Sequence, residues 1–319
     1  MNPFEPYAFP AQFAAQRRRA RSLAWLSVGL LSSAALFLAL TVGSSQAMKT
    51  AWVSDVLSII PPVAAIVAAR FELRPPTRRF PYGYTRAVSV AFLVTAAMLT
   101  LIGLFLFADA AVKLIRREHP SIGSVVLFGH QFWAGWLMVA SLSYSLCCGM
   151  LLGVLKKPVA AALLDRELQA EVVMNTDEWA SEGAAIVGIV LVSFGWWWAD
   201  AASAAFIAVQ IIRDGWDNVR QVIGDLIDEA PNRLDSHELE DLPEKVRAAA
   251  AGLDWAAGAA VRLREHGRVI MGDVFVIPRT DDNITARIER ARQDLLRLDW
   301  RLHSLTVMPV KDLPPPIPH

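Results

Sequence analysis

Long runs without charge dominate the first two thirds of the chain. Ser22 to Gly43, Ala87 to Ala108 and Phe132 to Leu155 are nearly free of Asp, Glu, Lys and Arg. Each is long enough to cross a hydrocarbon core, which takes roughly 20 helical residues. Ala51 to Ala69 is a fourth run, broken only by Asp55. Ala170 to Gly195 is a fifth and carries Glu171, Asp177, Glu178 and Glu182. Ala199 to about Val219 is a sixth, with Arg213 and Asp214 towards its end. The pattern predicts six membrane-spanning helices.

After Ile227-Asp-Glu-Ala-Pro231 the pattern becomes that of a soluble domain. Residues 236 to 250 suit a short helix. Gly258 to Glu265 and Val269 to Pro278 read as strands joined by a tight turn at His266-Gly267. Asp281-Asp-Asn283 is placed to cap a helix with apolar positions Ile284, Ile288, Ala291, Leu295 and Leu298, and a last strand runs from about Trp300 to Val310. The predicted fold is therefore an all-α six-transmembrane-helix bundle followed by a small cytosolic α/β domain of αββαβ order, ferredoxin- or metallochaperone-like. The expected boundaries are a cytosolic tail 1–21, the helical domain 22–224, the α/β domain 225–311 and a proline-rich tail 312–319.

Composition agrees with the pattern: 54% of the 319 residues are hydrophobic and 19% charged, too apolar for an ordinary soluble protein. A formal net charge of zero hides an uneven distribution. Arg17, Arg18, Arg19 and Arg21 precede the first span. Arg70, Arg74, Arg78, Arg79 and Arg86 fill the second connection, and Lys156, Lys157 and Arg166 the fourth. The positive-inside rule makes these segments cytoplasmic, with both termini inside, in a multipass protein of the cell's inner membrane. Lys113, Arg116 and Arg117 fall on the outer side, against the trend, and Trp196-Trp-Trp198 sits there as an aromatic anchor. No cleavable signal is read from the arginine-rich start. Cys147 and Cys148 read as small packing residues.

No glycine-rich phosphate loop, zinc-finger spacing or Ser-His-Asp arrangement suggests an enzyme or a bound cofactor. Arginines that abut membrane spans are explained by topology, so nucleic acid is not an expected partner. The informative segment is Glu171-Val-Val-Met-Asn-Thr-Asp-Glu-Trp-Ala-Ser-Glu182. An ionised acid at mid-bilayer costs on the order of 3 kcal/mol, so such acids face partners, water or cargo.

Several segments carry a resemblance to a known family. Phe80-Pro-Tyr-Gly-Tyr-Thr-Arg-Ala87 is similar to the Tyr-Gly-His/Tyr-x-Arg/Lys signature of the cation diffusion facilitators, exporters of divalent metals. Glu171 to Gly183 resembles that family's fifth span, Asp225-Leu-Ile-Asp-Glu-Ala-Pro231 its exit from the sixth, and Arg262-Leu-Arg264 part of its carboxyl-terminal pattern. The resemblance covers residues from about 20 to 310. It implies alternating access between helix groups, homodimerisation, and metal ion and protons as the species handled. The family's four ligand positions fall here on Ser54, Ser58, Met174 and Glu178, of which only Glu178 keeps a carboxylate. The family's histidine site between the second and third spans falls on Thr77, Phe80 and Tyr84.

A site can be rebuilt from what remains. Asp55 and Ser58 share nearly one face of the second span, with Ser54 beside them. Pro61 and Pro62 leave the carbonyls of Leu57 and Ser58 without their usual donors, or simply kink the helix. On the fifth span Asn175, Glu178 and Glu182 form one stripe, and Met174, Asp177 and Ser181 the adjacent one. Asp55, Asp177 and Glu178 are expected to carry the charge of a divalent-cation site, completed by Ser54, Ser58 and Asn175. Such oxygen ligands suit Mg²⁺, Mn²⁺ or Fe²⁺ better than zinc. Glu171 is expected to be solvated at the cytoplasmic interface. Asp200 and His130 are expected to be solvated at the outer one, and Arg213 to snorkel inward or pair with an acid. Glu182 is left between a site residue and a hydrogen-bonded neutral acid. The expected function is proton-coupled export of a divalent metal, the alternatives being a transport-inactive sensor or scaffold and a carrier of monovalent cations or protons.

Overall fold

The structure is a computed structural model that describes residues 10–72, 77–81, 84, 86–120, 122–127, 130–232, 239–266, 269–280 and 282–315. Tyr82, Gly83 and Thr85 of the tyrosine-glycine motif lie outside the described residues, as do Gly267 of the expected turn and Asp281 of the expected cap. The described chain divides into two compact units. One holds residues 12–70 and 90–222, the other residues 71–89 and 223–319 together with the first eleven.

The larger unit is helical. Its elements are α1 (Ala14–Thr41), α2 (Gln46–Ser58), α3 (Ile60–Glu72), α4 (Ala87–Arg116), α5 (Ala134–Leu163), α6 (Arg166–Ser193) and α7 (Trp198–Leu226). Among the described residues, four helical stretches are long and apolar enough to cross a membrane: Ala11–Thr41, Gln46–Val67, Ser89–Arg116 and Ala134–Leu163. The remaining two, α6 and α7, have 28 and 29 residues. At 1.5 Å per residue both exceed a hydrocarbon core in length, but they carry more charge.

The second span differs from a continuous helix. It breaks at Ile59, whose N–H turns back to the Val56 carbonyl at 3.4 Å, and restarts as α3 with Pro61 and Pro62 in its first turn. Prolines suit that place because the first N–H groups of a helix have no intrahelical partner. The connection before α5 holds a short antiparallel hairpin, β1 (Ser124–Leu127) with β2 (His130–Trp133), and His130 is exposed on it. The fourth connection is also shorter than expected. Leu164 in the left-handed conformation and Asp165, whose carboxylate accepts from the Leu168 N–H at 3.1 Å, link α5 to α6. Lys156 and Lys157 therefore lie on α5 rather than in a loop.

Two glycines let α5 and α6 run close together. A Cβ on Gly149 would meet the Glu178 carboxylate and lie 3.1 Å from the Asn175 carbonyl; one on Gly153 would lie 2.8 Å from the Thr176 methyl. Helix α1 packs on α2 and α5, and α2 packs on α6. Helices α4 and α7 meet where a Cβ on Gly103 would lie 2.8 Å from Ile212. A shared apolar cluster includes Leu38, Met48, Leu106, Met138, Ile189 and Ile207.

The smaller unit contains α8 (Leu242–Ala251), β3 (Ala256–His266), β4 (Val269–Pro278), α9 (Ile284–Leu296) and β5 (Leu302–Pro309), the αββαβ order read from the sequence. Strand β3 pairs antiparallel with β4, and β4 parallel with β5. A parallel pair needs a crossover, which α9 supplies. Its core includes Val246, Ala250, Trp255, Val274, Leu295 and Leu305. Asn283 holds the cap of α9 in a left-handed conformation, without a capping side-chain hydrogen bond.

Candidate metal site

Helix α6 buries a stripe that repeats at steps of four and three: Glu171, Asn175, Glu178, Glu182, Ala185 and Ile189. That spacing keeps residues on one face of a 3.6-residue helix, so the acids are inside because the helical period puts them there. Helix α2 presents Ala47, Ala51, Asp55 and Ser58 in the same manner. Packing α2 on α6 brings Asp55, 1% exposed, beside Glu178 and Glu182. The three carboxyl groups lie close enough to repel one another, and Ser58 stands next to Glu178.

Polar satisfaction within this group is uneven. Ser145 of α5 donates to Asp55 Oδ2 at 2.6 Å, and Ser58 Oγ donates to the Ser54 carbonyl at 3.1 Å. Both carboxylate oxygens of Glu178, one of Glu182 and the amide nitrogen of Asn175 are buried without a hydrogen-bond partner among the described residues. Unmade polar contacts at such depth are costly and mark a place where a ligand, proton or water completes the structure. Among the described residues no group of three or more His, Cys, Asp or Glu side chains is arranged to hold a metal ion. Serine, amide or backbone oxygens would have to share the coordination.

The expected residues separate into two sets. Asp55, Ser58, Asn175 and Glu178 come together, and Ser54 flanks them half-buried. Asp177 does not join them: it is exposed on another face of α6, where its charged neighbour is Asp214 of α7. Position 177 is one residue from 178, a turn of about 100° around the helix, which carries it off the stripe. Glu182 and Ser145 join the group, and the step of four from Glu178 was the visible signal for the first.

Two expectations of solvation are corrected. Glu171 is 5% exposed, and its carboxylate accepts from Lys156 Nζ at 2.7 Å. The α5–α6 connection is so short that both residues lie inside the helix pair. Asp200 is 2% exposed and accepts from Ser45 Oγ at 2.5 Å, from the Gln46 N–H at 2.6 Å and from the Ala47 N–H at 3.2 Å. An anion fits there because the Gln46 and Ala47 N–H groups that open α2 have no intrahelical acceptor and the helix dipole favours negative charge.

In the smaller unit, three segments singled out in the sequence meet. Arg86, from the tyrosine-glycine motif, donates through Nε to His266 Nδ1 at 2.9 Å, and it pairs with Asp228. Arg264 Nη1 reaches the other Asp228 oxygen at 2.7 Å. Burial raises the Asp228 carboxyl, but bonds and charge from Arg86 and Arg264 hold it below the usual carboxylate range. Burial, then the positive charge of those arginines, lowers His266 to about 4.

Apolar helices around a sequestered acid group, with a small αββαβ unit, define a membrane protein of the ion-handling class. The model of the cation efflux transmembrane domain matches residues 22–227, and the chain belongs to the cation efflux family. The chain is 26% identical over 247 residues to a zinc transporter, ZitB, of Yersinia pseudotuberculosis, covering 76% of this chain and 72% of that protein. It is 23% identical over 262 residues to the manganese efflux system protein MneS of Bacillus subtilis, covering 80% and 84%. It is also similar to the cation-efflux pump FieF of Citrobacter koseri, 22% identical over 62% of each chain.

Proposed function

We propose that this protein exports a divalent metal cation across the cell's inner membrane in exchange for protons. In this reading α6 and α7 complete six spans, the chain ends are cytoplasmic, and the protein works as a homodimer by alternating access. The helical bundle occupies about 22–224 and the α/β domain 225–311. Asp55 and Glu178 carry the charge of the site, Ser54, Ser58 and Asn175 supply further oxygens, and Glu182 is held in reserve beside them. The observation that carries the reading is a buried Asp55 next to a Glu178 whose two buried oxygens meet no hydrogen-bond partner of good geometry among the described residues. Two carboxylates neutralise one divalent cation, and protons can replace it on the same oxygens when it leaves, since binding requires deprotonated ligands. An all-oxygen set favours Mn²⁺, Fe²⁺ or Mg²⁺ over Zn²⁺.

The test is flux in proteoliposomes with a metal-sensitive dye, against Mn²⁺, Fe²⁺, Zn²⁺ and Mg²⁺ in turn, with a pH dye recording counterflow. Asp55→Asn and Glu178→Gln are each expected to reduce flux more than a hundredfold, while Asp177→Asn stays within a few-fold of the parent. Flux retained in both of the first two variants removes the site. A folded parent that moves none of the four ions favours a sensor instead.

A further inference from the structure

The outer ends of three helices are joined by polar contacts that the cation site does not use. Asp200, in the first turn of α7, caps the start of α2 through Ser45 Oγ and the Gln46 and Ala47 N–H groups. The Gln46 side chain, on a residue 3% exposed, is engaged at both ends. Its Nε2 donates to Asp109 Oδ2 at 2.5 Å, and its Oε1 accepts from Lys113 Nζ. Asp109 and Lys113 sit one turn apart on α4 and pair at 3.3 Å.

We propose that Gln46, Asp200 and Lys113 form a clasp whose opening is the outward gate of the site. The proposal rests on the topology given above, which places this end of α2 outside. From Gln46 to Asp55 is nine residues, about 13 Å along a helix. The intervening start of α2 is wholly buried at Ala47, Met48, Thr50 and Ala51, and the apolar cluster of Leu38, Leu106, Met138 and Ile207 surrounds it. A charged ion does not cross such a dry layer unless the helices part. Helices α1, α2, α5 and α6 pack together. The clasp fastens α2 of that group to α4 and α7. When the clasp opens, water can satisfy an amide, two carboxylates and an ammonium group. The seal can therefore exist in two states, which a purely apolar seal would resist.

The test uses the full-length protein in proteoliposomes, with Cys147→Ser and Cys148→Ala to remove native thiols and Ala51→Cys as reporter. A membrane-impermeant thiosulfonate is added from the outer side. Slow labelling is expected with the clasp intact, and at least tenfold faster labelling with Gln46→Leu or Lys113→Met, both of which leave the Asp200 cap in place. The same acceleration is expected in a Glu178→Gln background that moves no metal, so the gate and the site can fail separately. Unchanged labelling in folded clasp variants overturns the proposal, as does acceleration seen only from the arginine-rich side. Loss of Mn²⁺ binding to the clasp variants in detergent, followed by calorimetry, also overturns it, because α2 would then simply have come loose.

Discussion

Lys156 and Glu171 place opposite full charges where almost no water reaches, with side-chain exposures of 1% and 6%. Desolvating two ions offsets most of their attraction, but removing one strands the other. Lys156→Met is therefore expected to cost about 3–5 kcal/mol, read as a fall in melting temperature in detergent, and Lys156→Met with Glu171→Gln recovers much of it. At this scale the acidic stripe of α6 was legible, because a helix period can be counted along a sequence. Its members' partners were not. Glu171 and Asp200 sit near the ends of their helices, where an acid is usually solvated. Only the short α5–α6 connection and the start of α2 give them buried partners.

Among the elements, the α5–α6 pair does most to shape the site. Gly149 and Gly153 allow the backbone approach that sets the Glu178 carboxylate between helices. Gly153→Leu is expected to destabilise the protein by about 1–3 kcal/mol through overpacking against Thr176. Gly149→Ala is expected to lower metal flux more than tenfold, measured in proteoliposomes, because its methyl group meets Glu178 itself. Four spans were readable from their apolar runs, and so was a disturbance at Pro61-Pro62. The hairpin before α5 was missed: its strands are four residues each, too short for alternation to stand out from the neighbouring span.

Across the whole molecule, one histidine ties folding to acidity. His266 is lowered from 6.5 to about 4, so the folded protein binds its proton less readily than the unfolded chain does. That stabilisation is complete above about pH 6.5 and is lost as pH falls towards 4; the displacement is worth roughly 3 kcal/mol. Burial lowers His303 as well, so it contributes in the same direction. Asp228 is held below its ordinary value of 3.8, and its contribution persists until pH drops past that point. Melting of the full-length protein in detergent is expected to fall between pH 6.5 and 4, less steeply in His266→Gln. Equal slopes in the two proteins would detach His266 from the effect.

The sequence by itself determined four apolar spans, the αββαβ order of the tail and the helical stripe that carries Asn175, Glu178 and Glu182. These follow from local periodicity and from the free energy of moving each segment out of water. Tertiary structure alone decided which acid found a lysine, which capped a neighbouring helix and which met no hydrogen-bond partner among the described residues. It also turned Asp177 away from Asp55 and drew Arg86, Asp228 and His266 into one cluster. Such outcomes depend on contacts between residues far apart in the chain, and no local pattern encodes the register in which two helices or segments meet.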